Sequence, residues 1–203
     1  MSKSLLLATR NQHKKAELQA MLKDMGIKVL GLDDLAGMPE VEENGRTFEE
    51  NAVKKARENA LVSKMVCLAD DSGLVVDALD GKPGVFSARF AGPKASDLEN
   101  NIQLLKMMEG VKETHRTARF ECVIAVCSPD LNVKLAKGTC EGTIALQPRG
   151  NAGFGYDPLF IPKGYSISFA EMAPEDKNRI SHRGIALRKA LPIIKGYFYG
   201  HDA

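Results

Sequence analysis

Apolar residues fall along this chain in short runs and in helical-period stretches that take turns, an alternation that predicts an α/β architecture. Leu5-Leu6-Leu7-Ala8 reads as a short buried strand. Ala16, Leu18, Met21, Leu22 and Met25 then recur at helical spacing, and Gly26 supplies a C-terminal stop. Ile27 to Leu30 predict a second strand, so the opening segment has the strand–helix–strand form of a crossover unit.

The next helix is announced by a capping box, Thr47-Phe48-Glu49-Glu50, with Ala52, Val53, Ala56 and Ala60 as its packing face. Val66 to Ala69 form an apolar strand that ends abruptly in Asp70-Asp71-Ser72-Gly73. Leu74 to Ala78 continue extended, and Gly81-Lys82-Pro83-Gly84 turns the chain. A second capping box, Ser96-Asp97-Leu98-Glu99, opens a helix expected to pack through Leu98, Ile102, Leu105 and Met108. Arg119 to Ala125 alternate as a strand with Phe120, Cys122 and Ile124 on one face. Residues 128–132 turn that strand into its hairpin partner, Val133–Thr139. The last helix begins near Ser181 and carries Ile185, Leu187, Leu191 and Ile194; Pro192 is expected to kink or loosen it. Helices combined with both strand senses point to a mixed sheet.

Length and composition narrow the class. At 203 residues, without repeats or a linker-like stretch, the chain is expected to be a single domain spanning 1–203. Lys plus Arg is 28 against 26 for Asp plus Glu, and a net charge of +2 argues against a protein that coats nucleic acid. The first apolar run is too short for an export signal or a membrane span. Cys67, Cys122, Cys127 and Cys140 show neither a CxxC pair nor zinc spacing, so buried free thiols and a cytoplasmic location are expected.

Five blocks could carry chemistry. Thr9-Arg10-Asn11-Gln12-His13-Lys14 lies between a buried strand and a helix, where backbone N–H groups and a lysine favour an anion. A capped turn with a solvated lysine accounts for the same residues. An acidic loop, Glu40 to Gly45, precedes the helix that carries Lys55. Asp70 and Asp71 put adjacent carboxylates at an apolar strand's end, a costly arrangement that Mg²⁺ with phosphate would compensate. Asn151 to Pro158 space Phe154 and Tyr156 by Gly155, and either ring could stack on a base or simply pack. Finally, Lys177 and Ser181-His182-Arg183-Gly184 set cations at a helix start, where the dipole disfavours them unless an anion or a purine edge lies nearby.

In this order the blocks resemble the inosine triphosphate pyrophosphatase family of deaminated-purine nucleotide hydrolases. Ala69 to Leu74, Phe154 to Pro158 and Ser181 to Arg183 are the most specific matches, and the resemblance runs from Leu6 through Ala190. It implies an elongated α/β fold: a mixed central sheet flanked by helices, with two lobes and an active-site cleft between them, usually in a homodimer. It also implies Mg²⁺-dependent hydrolysis of ITP, dITP and XTP to the monophosphate and pyrophosphate. By that resemblance Thr9, Arg10, Asn11, Gln12, His13 and Lys14 hold the phosphates together with Lys55. Glu43 and Asp71 are the metal ligands, and Asp71 is also the general base. Ser72, Phe154, Gly155, Tyr156, Asp157, Lys177, His182 and Arg183 contact the nucleotide. Arg10 stands where many members carry glycine. The alternative is a non-catalytic nucleotide- or RNA-binding module that would use the basic segments Lys112–Arg119 and Lys177–Lys189; the near-neutral charge and the acidic loops speak against it. No membrane or nucleic-acid partner is expected.

Overall fold

The structure is a computed structural model that describes residues 3–200; the side chains of His13 and Glu17 lie outside the described part. Strand β1 (Lys3–Leu7) leads into α1 (Gln12–Leu22), a single 3-10 turn, and β2 (Ile27–Gly31). Gly26 closes the turn at φ +60°, the left-handed conformation that glycine adopts without strain. Both β2 and β3 (Cys67–Val76) pair with β1 in parallel. The remaining strands are β4 (Thr117–Cys127), β5 (Val133–Ile144) and β6 (Phe160–Pro162), and β5 and β6 pair antiparallel. The sheet order is β2-β1-β3-β4-β5-β6, so the sheet is mixed, as the sequence predicts.

Helix α2 (Phe48–Ser63) starts at Thr47, whose hydroxyl accepts from the Glu50 N–H at 3.1 Å. Glu50 does not complete the predicted box: its carboxylate accepts from the Arg46 N–H at 2.6 Å instead. Ala52, Ala56 and Ala60 are fully buried, and Asn51 and Asn59 join them. Helix α3 (Asp97–Met107) has the full reciprocal box between Ser96 and Glu99. Its packing face is the expected one only in part: Met108 is fully buried and Leu105 packs half-buried against the same core. Leu98 and Ile102 are 66% and 57% exposed, whereas Asn100, Asn101 and Leu104 are buried. Short α4 (Pro174–Ile180) and long α5 (His182–Tyr199) complete the chain, and α5 passes through Pro192 as one helix.

Another correction concerns β3. The pair Asp70-Asp71 does not end a strand; it sits in the middle of a continuous ten-residue strand, and both carboxylates are buried. Ser72 and Gly73 continue the same strand.

The chain divides into two compact units. The first comprises Met1–Asp71, Val123–Lys137 and Ala186–Ala203, the second Ser72–Cys122 and Gly138–Ile185. In the first, Leu5, Leu6, Leu18, Leu22, Ile27, Leu68 and Ile124 are fully buried. The second is built on an aromatic cluster in which Phe120 meets Phe160 edge-on at 4.7 Å between ring centres and Phe160 tilts against Phe169 at 5.0 Å. Such pairs contribute about 0.5–1.5 kcal/mol beyond their area. All four cysteines are buried free thiols on strands, and no helix among the described residues is long and apolar enough to cross a membrane.

Candidate active site

The first unit gathers charges. Thr9 and Asn11 shape the β1–α1 loop: the Thr9 hydroxyl accepts from the Asn11 N–H, and Asn11 Oδ1 accepts from the Lys14 N–H at 3.3 Å, capping α1. One helical step inside that cap, Lys14 Nζ donates to both oxygens of Asp70, at 2.9 and 2.8 Å. Arg10 extends to Asp33 at 3.2 Å, both side chains being about half exposed. Gln12 opens α1, exposed; His13 follows it, with a side chain outside the described part.

Lys55 reaches from α2 to three oxygens. Its Nζ lies 2.6 Å from Glu43 Oε1, 2.7 Å from the Asp70 carbonyl and 3.5 Å from Asp71 Oδ1. The other oxygen of Asp71 accepts from Asn51 Nδ2 at 3.0 Å, while Asn51 Oδ1 accepts from the Gly45 N–H at 2.8 Å. That bridge explains Gly45, because a Cβ there would stand 2.6 Å from Asn51 Oδ1. Lys54 ties the same acidic loop to α2 by donating to the Glu42 carbonyl and to Asn44.

Burial raises the Asp71 carboxyl above its ordinary value; Lys55 and Asn51 oppose that, while Glu43 and Asp70 reinforce it. Burial alone would lower Lys55, but the nearby charges of Asp71, Asp70 and Glu43 outweigh it and raise the ammonium. A protonated lysine thus holds Asp71, a carboxylate that burial makes costly to keep charged. Among the described residues, no group of three His, Cys, Asp or Glu side chains is arranged to hold a metal ion. Glu43 and Asp71 do converge on one cationic point, a two-carboxylate donor set of hard oxygens that suits an ion completed by water and phosphate.

The second unit gathers rings and cations. Phe154 is 43% exposed, with Lys177 Nζ 5.0 Å and Arg183 Cζ 5.3 Å from its ring centre. Asp157, buried, accepts from Lys177 Nζ at 2.5 Å and from the Phe154 N–H at 2.8 Å. Gly153 makes room for it: a Cβ there would fall 2.1 Å from Asp157 Oδ2. Arg183 Nη2 lies 3.4 Å from Ser72 Oγ. His182 is buried and stacks on Phe120, 4.6 Å between ring centres at 11°. Tyr156 does not present its ring; it belongs to the aromatic core and donates its hydroxyl proton to the Ser87 carbonyl at 2.8 Å. Of the two candidate stacking aromatics, only Phe154 is open.

The α4–α5 junction explains the Ser-His-Arg-Gly block. Ser181 Oγ accepts from the Gly184 N–H at 3.1 Å, and a Cβ on Gly184 would stand 1.9 Å from the Asn178 carbonyl oxygen. Serine caps α5, and glycine lets it start hard against α4.

The structure thus brings Lys14, Glu43, Lys55 and Asp71 together in the first unit, along with Asp70, and Ser72, Phe154, Asp157, Lys177 and Arg183 in the second. Asp71 of the first set and Ser72 of the second are consecutive residues of β3. Sequence reasoning overlooked Asn51, whose only signal was a polar residue on an alanine-lined helix face.

The chain is similar to known proteins over nearly its whole length. The model of the Ham1 family matches residues 5–193. The dITP/XTP pyrophosphatase of Desulforamulus reducens is 52% identical over 190 residues, covering 94% of each chain. That of Geobacter sulfurreducens is 51% identical over 193 residues, covering 95% of each. Among solved structures, a HAM1 protein from Coxiella burnetii superposes with a TM-score of 0.89 at 41% identity, covering 95% of this chain and 98% of its own.

Proposed function

This chain belongs to the Ham1 family, and from that premise we propose that it hydrolyses the deaminated purine triphosphates ITP, dITP and XTP to monophosphate and pyrophosphate, clearing them from the nucleotide pool. The observation that carries the reading is the pair of mid-strand carboxylates, each neutralised by a lysine from a different helix. Such lysines can transfer their charge to phosphate oxygens when a triphosphate arrives. Glu43 and Asp71 would hold Mg²⁺, which when bound supplies positive charge that offsets the phosphate oxygens.

In this reading water attacks the α-phosphorus. A new P–O bond forms, the bond from the α-phosphorus to the bridging oxygen breaks, and pyrophosphate leaves with the electron pair. Asp71 takes the proton of the attacking water. Asn51 fixes one Asp71 oxygen. Lys14 and Lys55 bear on the phosphates, with the Thr9–Lys14 backbone. Phe154 offers its face to the purine, while Arg183 or neighbouring backbone N–H groups donate to the 6-oxo oxygen. Adenine presents a donor there instead, so donor would face donor. Guanine shares the 6-oxo group, and its rejection turns on the amino group at C2.

The rival module finds little support in its own basic segments. Arg116 is buried and donates to the carbonyls of Met108, Ile144 and Ala145; Arg119 is paired with Asp77 and Glu121; Lys177 is held by Asp157. The reading also includes one functional domain, since β3, β4, β5 and α5 each run through both units. It includes a cytoplasmic homodimer as well, checked by sedimentation equilibrium.

The deciding experiment incubates the protein with Mg²⁺ and each of ITP, XTP, dITP, GTP and ATP. IMP and pyrophosphate from ITP, with ATP nearly untouched, support the reading. Binding without turnover, or release of IDP and orthophosphate, contradicts it.

A further inference from the structure

Helix α3 departs from its own apolar pattern over its first two turns, although Leu104 and Met108 are fully buried. It turns Leu98 and Ile102 to solvent and buries Asn100 and Asn101. Giving up two apolar side chains for two amides is favourable only where the amides satisfy groups that would otherwise be stranded. Asn100 does so locally, accepting from the Ala91 N–H at 2.8 Å and donating to the Ala88 carbonyl at 3.3 Å.

Asn101 works at longer range. Its Nδ2 donates to the Gly155 carbonyl at 2.9 Å. One helical turn earlier on the same face, Asp97 Oδ2 accepts from the Gly155 N–H at 2.6 Å. Two residues of one helix therefore hold both backbone groups of the glycine that follows Phe154. Gly155 itself lies at φ +60°, a conformation with no crowding around the missing Cβ. On the other side, the Phe154 N–H is fixed by Asp157. The peptide groups flanking Phe154 are thus tied at both ends, which sets the direction in which its half-exposed ring leaves the backbone.

We propose that Asp97 and Asn101 are positioning residues for base recognition: they clamp Gly155 so that the Phe154 ring is already oriented to receive the purine. The bonds of Asp97 and Asn101 to Gly155 lie within the second unit, so the clamp acts on the affinity for the base and leaves the hydrolytic step alone. The proposal rests on the pyrophosphatase reading above.

The test compares Asp97→Ala, Asp97→Asn and Asn101→Ala with wild type by three measurements: hydrogen exchange of the Gly155 amide, kcat and KM for ITP, and inhibition by inorganic tripolyphosphate, which has no base. Asp97 is exposed, so its replacement leaves the core intact even if Asn101→Ala fails to fold. In the alanine variants we expect faster Gly155 exchange and a KM for ITP raised about tenfold, with kcat within about twofold and tripolyphosphate inhibition unchanged. Asp97→Asn keeps an acceptor and recovers most of the loss. Glu99→Gln, which weakens the start of α3 without touching Gly155, leaves KM unchanged. The proposal is overturned if Gly155 exchanges faster while KM for ITP stays put, if exchange does not change, if tripolyphosphate inhibition weakens in step with KM, or if Glu99→Gln reproduces the effect. Wild type separates the two readings: no turnover of ITP there refutes the proposed function itself, whereas the clamp fails alone when wild type is active and the variants keep its KM.

Discussion

The two sets of residues, one including Asp71 and the other Ser72, are built on opposite principles. In the first unit, carboxylates and lysines neutralise one another, Lys14 with buried Asp70 and Lys55 with Glu43 and buried Asp71. Those ion pairs are contacts that a phosphate or a metal ion could replace. In the second, Phe154, Arg183 and His182 are held by stacking, by the Asp157–Lys177 pair and by hydrogen bonds to backbone. Exchangeable charge suits a polyanion whose own charge changes during reaction; a fixed ring and fixed donors suit the reading of a shape. On the proposed function, the difference teaches that selectivity and hydrolysis should be separable, and substitutions can break or sharpen that separation.

The largest effect belongs to the first unit. Asp71→Asn keeps the shape and removes the proton acceptor, and turnover of ITP should fall by roughly 10²–10⁴ without a change in the ITP:ATP preference. Near-normal turnover at saturating Mg²⁺ would remove Asp71 from the reaction. Glu43→Gln should act more mildly, raising the Mg²⁺ concentration needed for half-maximal rate. A maximal rate lost at every Mg²⁺ concentration would contradict the ligand role.

A smaller effect comes from the second unit. Phe154→Ala should cost about 1–3 kcal/mol of binding for ITP and ATP alike, because stacking reads the π-face that all purines share. Equal KM values in variant and wild type would leave Phe154 as an exposed loop aromatic. The smallest effect is one of pH. Burial raises Asp71, whereas hydrogen bonds from the Ser96 backbone and hydroxyl hold Glu99 below its ordinary 4.5. A lowered carboxyl stabilises the fold above its unfolded value, and that contribution disappears as pH falls through the lowered folded value. The stability difference between wild type and Glu99→Gln should therefore be present at neutral pH and shrink in acid well below pH 4.5. A difference that is constant with pH would mean that the Glu99 charge plays no part in the cap.

Much of this was legible in the sequence because it is local. The Ser96–Glu99 box, the Gly26 stop and the Ser181 cap are set by neighbours three or fewer residues away. What was illegible depends on distant partners. Asp70 and Asp71 read as a strand end because charges inside a strand are costly, and nothing nearby shows that Lys14 and Lys55 arrive to neutralise them. The first turns of the α3 face were misread for the same reason: periodicity favours Leu98 and Ile102, but Asp97 and Asn101 answer to Gly155, more than fifty residues away. Tyr156 and Phe154 look alike in sequence and part only when the Ser87 carbonyl claims one of them.

The separation of the two functions is tested most directly by a paired measurement on Lys14→Gln, which still offers Asp70 a donor, and Arg183→Ala. For each, tripolyphosphate inhibition and the ratio of kcat/KM for ITP over ATP are measured. Lys14→Gln should weaken tripolyphosphate about tenfold or more and leave the ratio within about twofold, whereas Arg183→Ala should collapse the ratio by about tenfold or more and leave tripolyphosphate unchanged. If either variant moves both quantities together, phosphate binding and base reading are not divided between the two sets, and the account is wrong.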